Sequence, residues 1–425
     1  LKNRLILVFV LAVLIRLILA TIFYSLPPEW PSGSSKEFRI ELAESLAHGK
    51  GFSYHGIPNL YQTPVYPSFL AIIFLLFGYH WWSIALFQSL LEGISSILIA
   101  KIGDRFSKLG WLAGLIYAIF PYPAMQSRSI VDTALFVAIV MSAVFFFINF
   151  LLKPRSLDLF LSAFILGIGI LNRPSIFILW PAFVVSMLLE RINFRKVMVW
   201  SLASLLIAAI LPGLWIIRNY KISGYFPVLS VAGQHFMWYG HNAHIYKILE
   251  QRESPDLVGI DPRYPMQPNF KVIDFFVLSP AKQVELGKRC SEIVAKWIKN
   301  NKQIVLDYTV LKLKMFLSWK YDIESQNAPF QKARTLIYMI TTAPILIFGW
   351  AGAILLFFRK RRIALFLFII FAGFIFTHVL TNFESRHKIP YFALLITTIP
   401  LTIEFIILGA KKAVNSFHAS IHNQT

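Results

Sequence analysis

Long apolar runs separated by short connectors dense in lysine and arginine dominate the chain. A membrane helix needs about 20 apolar residues, fewer where flanking groups snorkel or the bilayer thins. Ten segments meet that description: 5–24, 82–100, 109–123, 130–152, 157–171, 175–190, 197–217, 335–358, 363–380 and 389–409. The pattern predicts an all-α polytopic membrane protein with about ten transmembrane helices, folded as a single membrane domain over residues 1–425. The first run follows Lys2 and Arg4, is longer than a signal-peptide core and lacks a small-residue cleavage pattern, so it reads as a retained helix.

Two long stretches, 25–81 and 218–334, do not cross. In the first, Tyr66 to Gly78 is apolar but too short to span, which predicts a juxtamembrane helix at the interface, with Trp81 and Trp82 anchoring the span that follows. In the second, Pro255 to Pro280 is rich in proline and aspartate and reads as irregular. Ala281 to Lys299 and Lys302 to Lys320 have the periodicity of two amphipathic helices.

Composition changes the picture in one respect. The chain is 57% hydrophobic and 15% charged, too apolar for a soluble domain, yet its formal charge is +20. In a soluble protein that excess would point to nucleic acid; here it sorts by side instead. With the N-terminus in the cytoplasm, 16 lysines and arginines fall in the inner connectors and only Arg128, Arg173, Arg386 and Lys388 in the short outer ones. That asymmetry places both termini inside and both long loops outside the cytoplasm, as in a plasma or inner membrane protein with no nucleic-acid partner. A single cysteine, Cys290, excludes an intrachain disulfide and a cysteine-based metal site.

Candidate chemistry collects in the outer segments. Glu37, Glu41, Glu44 and His48 share one side of a helix, where a carboxylate would serve as a general base or simply form a solvated face. Asp132 opens the fourth span, where it would act on an acceptor or favour the helix N-terminus through the macrodipole. Arg128, Arg173, Arg218, Arg386 and Lys388 are candidates for a phosphate ester, with snorkelling to headgroups as the plain alternative. Tyr61 and Tyr66, among Pro64 and Pro67, suit stacking on a sugar or prenyl unit or a rigid loop, and Glu384 and His387 flank Arg386 as further substrate contacts. Arg16, inside the first span, is either functional or snorkels outward. No Walker loop, dinucleotide fingerprint, HExxH or Cys/His metal spacing occurs, so no metal site is assigned and a divalent cation is left open.

Several of these stretches, in order, resemble the GT-C superfamily of membrane glycosyltransferases. They are Leu42 to Phe52, Thr63 to Pro67, Leu76 to Gly78, Ser127 to Asp132, Asn172-Arg173-Pro174, Arg218-Asn219-Tyr220, Trp238 to Asn242 and Glu384 to Pro390. The similarity is to the family 39-like branch, which includes protein O-mannosyltransferases and the aminoarabinose transferases acting on lipid A. It implies inverting transfer of a sugar from a dolichyl- or undecaprenyl-phosphate carrier to a hydroxyl or phosphate on a protein, lipid or glycan. Members carry a first-loop aspartate as base where this sequence has Ser34 and Ser35, leaving Glu37 as the nearest acid. Asp132 matches the second acidic position, and Arg218 and Arg386 are the implied contacts to the carrier phosphate. A lipid-carrier flippase or transporter and an inactive scaffold relative are the competing readings.

Overall fold

The computed structural model describes residues 2–22, 35–126, 129–189, 192–242, 244–251, 271–319, 331–381 and 385–422. From the N-terminus run α1 (Lys2–Ile22), α2 (Ser35–Ala47), a two-residue hairpin β1 (Ser53–Tyr54) and β2 (Ile57–Pro58), α3 (Val65–Phe77), α4 (Trp81–Gly103), α5 (Trp111–Ile119), α6 (Pro121–Gln126), α7 (Thr133–Leu152) and α8 (Ser156–Ile170). A 3-10 turn (Pro174–Ile178) leads into α9 (Leu179–Leu188) and α10 (Phe194–Ser223). The second long stretch holds α11 (Ala232–Gly240), α12 (Ile245–Glu250), α13 (Asp274–Val277), α14 (Pro280–Asn300) and α15 (Lys302–Leu317). The chain continues through α16 (Gln331–Arg359), α17 (Arg361–Leu380), a 3-10 turn (Ser385–Lys388), α18 (Ile389–Ile396) and α19 (Ile399–His422).

Among the described residues, seven stretches are long and apolar enough to cross a membrane: α1, α4, α7, α10, α16, α17 and the α18–α19 run. The fold is therefore an all-helical polytopic membrane protein. The other three expected spans, 109–123, 157–171 and 175–190, fall on helices of fewer than 18 residues. The segment expected at 109–123 breaks after Phe120, whose extended backbone is what the following Pro121 demands. Pro174 opens the turn before α9 in the same way, leaving α8 at 15 residues and α9 at 10. Exposed Leu202, Leu206, Ile210, Leu214 and Ile217 recur every three or four positions on α10, the stripe a lipid-facing helix presents.

Arg16 neither snorkels nor opens to solvent. Its guanidinium is fully buried and donates to the Glu92 carboxylate of α4 at 3.0 Å, to the Ala118 carbonyl at 2.7 Å and to the Tyr117 carbonyl at 3.3 Å. One side chain thus clamps α1, α4 and the end of α5 in a setting with no water to substitute for a lost partner.

The two long stretches share a core. Phe38, Leu42, Phe52, Tyr54, Leu60 and Tyr61 pack against Val231, Trp238, Phe275, Phe276, Val284 and Cys290. Polar crossings reinforce it: Gln283 Oε1 accepts from the Leu60 amide at 2.9 Å and Ser230 donates to the Tyr61 carbonyl at 2.6 Å. Both stretches therefore lie at one end of the bundle. The expected helices are present as α3, α14 and α15; of the stretch expected to be irregular, residues 252–270 lie outside those described, and α13 sits in the remainder. Ser279 precedes Pro280 at the first position of α14, where the missing proline N–H costs nothing.

Gly373 decides how closely the 3-10 turn approaches α17. A Cβ there would collide with the Ile178 side chain, so only glycine lets the turn after Arg173 lie against the helix that carries Thr377 and His378.

Glu92→Ala, which strands the Arg16 charge in the bundle, is expected to cost about 3–5 kcal/mol. The paired change Arg16→Met with Glu92→Leu should cost less than either single change, and detergent-solubilised thermal unfolding of the three variants ranks them.

Candidate functional site

Where the bundle meets the two packed loops there is a cavity of about 330 Å³. Its walls come from six parts of the chain: Arg39 of α2; Tyr61 to Pro67; Asp132; Asn172 to Ser175; Leu229 to Phe236; and Thr377, His378 and Thr381 with Arg386 and His387.

Asp132 stands immediately before α7 but does not cap it. Its carboxylate instead takes both arms of Arg173, Nε at 2.5 Å and Nη2 at 2.6 Å, with Asn172 Nδ2 at 3.5 Å. Arg173 is extended because Pro174 follows it, which aims its side chain back across the α8 end towards α7. The fork also reaches Thr133 Oγ1 at 3.4 Å, and the guanidinium lies 4.9 Å from the Phe136 ring centre. The Tyr61 to Pro67 strip docks onto the same corner: Thr63 donates to the Asn172 carbonyl at 2.9 Å and the Val65 amide to Leu171 at 3.4 Å.

Burial raises the Asp132 pKa, but the adjoining Arg173, both as a charge and as a hydrogen-bond donor, outweighs it, and Arg39 and Arg386 add to the effect. The carboxyl is held well below the usual carboxylate range and stays ionised. Arg39 is pulled down from its ordinary value by burial, with Asp132 opposing and the positive charges of Arg386 and Arg173 reinforcing the shift. Among the described lining residues, three guanidinium groups share one field with a single carboxylate. Asp132 is matched by Arg173, and Arg39 and Arg386 stand on the same cavity wall.

Aromatic residues complete the wall. Tyr61 is fully buried, its hydroxyl 2.9 Å from His235 Nδ1, and Tyr66 donates to Gln88 Oε1 at 3.0 Å, so both present ring faces rather than hydroxyls inward. Arg39 sits 5.9 Å from the Tyr66 ring centre. His387 packs on His378 with ring centres 4.7 Å apart, and both line the cavity.

Six residues singled out from the sequence thus meet here: Asp132, Arg173, Tyr61, Tyr66, Arg386 and His387. Arg218 does not. It donates to the carbonyls of Asn59 at 2.9 Å and Phe52 at 3.0 Å and lies over Trp215, bracing the first loop against α10. Lys388 is fully buried beside the cavity and donates to the Met315 carbonyl at 2.5 Å. Arg128, Glu384 and the Glu37 side chain lie outside the described residues. Glu41 pairs with the exposed His55 at 3.3 Å and the His48 ring meets the Glu44 carbonyl at 2.8 Å, so these three turn to the surface of α2, away from the cavity. Among the described residues, no three His, Cys, Asp or Glu side chains converge as metal ligands would.

Arg39 and His378 were not anticipated. His378 carried a usable signal, an ionisable residue within an apolar span. Arg39 carried none, because an arginine among glutamates on a loop helix reads as an ordinary surface ion pair.

Residues 61–216, just over a third of the chain, match the family model described as dolichyl-phosphate-mannose-protein mannosyltransferase. That stretch contains Tyr61, Tyr66, Asp132 and Arg173 but neither Arg39 nor Arg386. No curated protein matches the chain. Among solved structures, the chain is similar to ArnT from Cupriavidus metallidurans, crystallised bound to undecaprenyl phosphate, with a TM-score of 0.45 and 14% identity over 92% of this chain and 77% of that one.

Because the folded Asp132 pKa is depressed, its contribution to stability is complete above the unfolded value of about 4 and is lost as pH falls below it. Asp132→Asn should therefore lower the melting temperature by a constant amount between pH 5 and pH 8, roughly the neutral plateau of a single acid. The gap to the parent protein should narrow in stronger acid, as thermal unfolding across a pH series would show.

Proposed function

We propose that this chain is a membrane glycosyltransferase that takes its sugar from a polyprenyl-phosphate carrier and passes it to a hydroxyl or phosphate on a protein, lipid or glycan acceptor, at the extracytoplasmic face. The observation that carries the reading is an aromatic-walled cavity, lined by Arg39, Arg173 and Arg386 beside Asp132, where the bundle meets its loops. The family match, which supplies the Asp132–Arg173 half of that cavity, supports the same chemistry.

The charge balance suits the reaction. A sugar-phosphate carrier is a phosphodiester with one negative charge; departure of the sugar leaves a phosphomonoester that gains a second. Guanidinium groups on the cavity wall complement the doubly charged leaving group better than the singly charged donor, which is the condition for lowering a barrier rather than only tightening binding. The stacked Tyr66 and Arg39 faces suit the sugar ring and the adjoining phosphate.

Asp132 faces the reacting centre as a carboxylate fixed by Arg173. Held so far below the usual range it is a weak base, so its part is to orient an acceptor hydroxyl and to oppose the positive charge that develops at the anomeric carbon. Glu37, near the start of α2, is the second acid assigned to acceptor activation. Attack from the side opposite the carrier oxygen gives an inverted product. Arg218 and Lys388, expected from the sequence as carrier contacts, serve this reading only by bracing the surroundings of the cavity.

The assigned face is supported by the 16 basic residues of the inner connectors and by the shared core that residues between 38 and 61 form with residues between 228 and 294. The native thiol does not report it. Cys290 is fully buried and burial pushes its pKa up to about 12, so it is neither accessible nor nucleophilic. Lys299→Cys in a Cys290→Ala background places a thiol on the exposed face of α14. It should react with an impermeant maleimide in intact cells, and labelling only after permeabilisation would reverse the assigned face.

Arg39→Ala and Arg386→Ala should each weaken binding of undecaprenyl phosphate about tenfold or more, the effect of a lost charge-assisted contact. Native mass spectrometry with undecaprenyl phosphate and undecaprenol distinguishes the cases. Equal retention of the neutral alcohol and the phosphate would remove the basis of the reading. In proteoliposomes supplied with undecaprenyl-phosphate sugars, Asp132→Ala should reduce turnover by about a hundredfold or more.

A further inference from the structure

The segment that carries Arg386 and His387 follows Thr381 at the end of α17, and its 3-10 turn ends at Lys388, immediately before α18. Both of its ends are tied to one helix of the large loop. At the first, Lys312 Nζ of α15 donates to the Thr381 carbonyl at 2.7 Å; at the second, Lys388 Nζ donates to the Met315 carbonyl at 2.5 Å. Lys312 and Met315 are neighbours on the same face of α15, less than one turn apart. The face is buried, with Tyr308, Lys312, Met315 and Phe316 inward, and Phe316 stacks against the cavity residue His378 with ring centres 6.0 Å apart.

Lys312 has no ordinary reason to be where it is. It is fully buried, and among the described residues no carboxylate pairs with it. Its second bond, 3.1 Å to the Gly240 carbonyl, explains the position. Gly240 ends α11, which lines the cavity at Ala232, Gly233 and Phe236, and Thr381 ends α17, which lines it at Thr377 and His378. The last carbonyls of a helix lack partners within it and carry the negative end of its dipole. One amine therefore bonds the C-terminal ends of two helices that both line the same cavity. Burial pulls the Lys312 pKa down to about 7, and two N–H donors on two carbonyls suit the neutral amine as well as the ammonium. The Tyr308 ring, 4.8 Å away, closes the remaining side.

We propose that Lys312 is a positioning residue of the transferase: by joining Gly240 and Thr381 it sets the separation of the α11 and α17 walls and holds Arg386 and His387 in place for the carrier phosphate. The inference rests on the reading of the cavity as a carrier-phosphate site. It makes α15 the support of that site, although no α15 side chain lines the cavity itself.

The test uses the full chain in nanodiscs, with Lys312→Met and Lys312→Gln as the variants, so that one remains if the other fails to fold. Hydrogen exchange, which needs no ligand, should rise at least tenfold in peptides covering 377–389 while peptides covering α1 and α4 keep the parent rate. Undecaprenyl phosphate affinity should fall about tenfold. The double variant Lys312→Met with Arg386→Ala should bind no more weakly than Arg386→Ala alone, because a displaced Arg386 and a missing one are equivalent losses. Unchanged exchange at 377–389 in both variants, or binding losses that add, would overturn the proposal. If exchange rises as expected but Arg386→Ala leaves undecaprenyl phosphate binding intact, the support role of Lys312 stands and the carrier-phosphate reading is the one that falls.

Discussion

The bidentate ion pair between Asp132 and Arg173 is the constraint on which the cavity depends. It welds the start of α7 to the turn before α9, and the Thr63 contact to Asn172 hangs the Tyr61 to Pro67 strip on the same corner. A pair buried this deeply is costly to assemble and more costly to break, since removing either partner leaves an unmatched charge in a poorly hydrated place. Its second consequence is electrostatic. It engages the only carboxylate among the described lining residues, on a wall that also carries Arg39 and Arg386.

Buried charges elsewhere in the bundle perform a different task. Arg16 and Glu92 hold α1, α4 and the end of α5 together, and Lys312 and Lys388 bond carbonyls around the connector at 381–388. In lipid a helix pair gains little from apolar contact alone, because the solvent is as apolar as the side chains, so polar crossings and close approach at glycines such as Gly373 carry more of the specificity. The two loops obey the water-facing rule instead and build an aromatic-rich core around Phe38, Tyr61, Phe275 and Phe276. The cavity lies at the boundary of the two regimes, lined by residues of both.

The positions of the ionisable groups show how much of the site was legible in the chain. Asp132, Arg173 and Arg386 stood out because each is a charge beside an apolar run, where charge is expensive without purpose. Arg218 and Lys388 stood out for the same reason, yet the fold turns both onto backbone carbonyls and away from the cavity. Hydropathy marks a charge as anomalous but does not say whether its partner is a ligand or a carbonyl from a distant segment. Arg39 was invisible for the converse reason: in a polar loop helix an arginine is ordinary, and only the packing of α2 over Tyr66 and Ile130 makes it part of the site.

By itself the sequence determined the all-helical membrane class, the long spans, the two non-crossing stretches and their α3, α14 and α15 helices. All of these follow from the length and period of apolar runs, which local backbone hydrogen bonding converts directly into helix. Only the tertiary structure decided that Arg16 is a clamp, that the two loops share one core, and which basic residues face one cavity. Those outcomes depend on contacts between residues dozens to hundreds of positions apart, such as Arg16 with Glu92 and Leu60 with Gln283, and no local periodicity encodes such a partner.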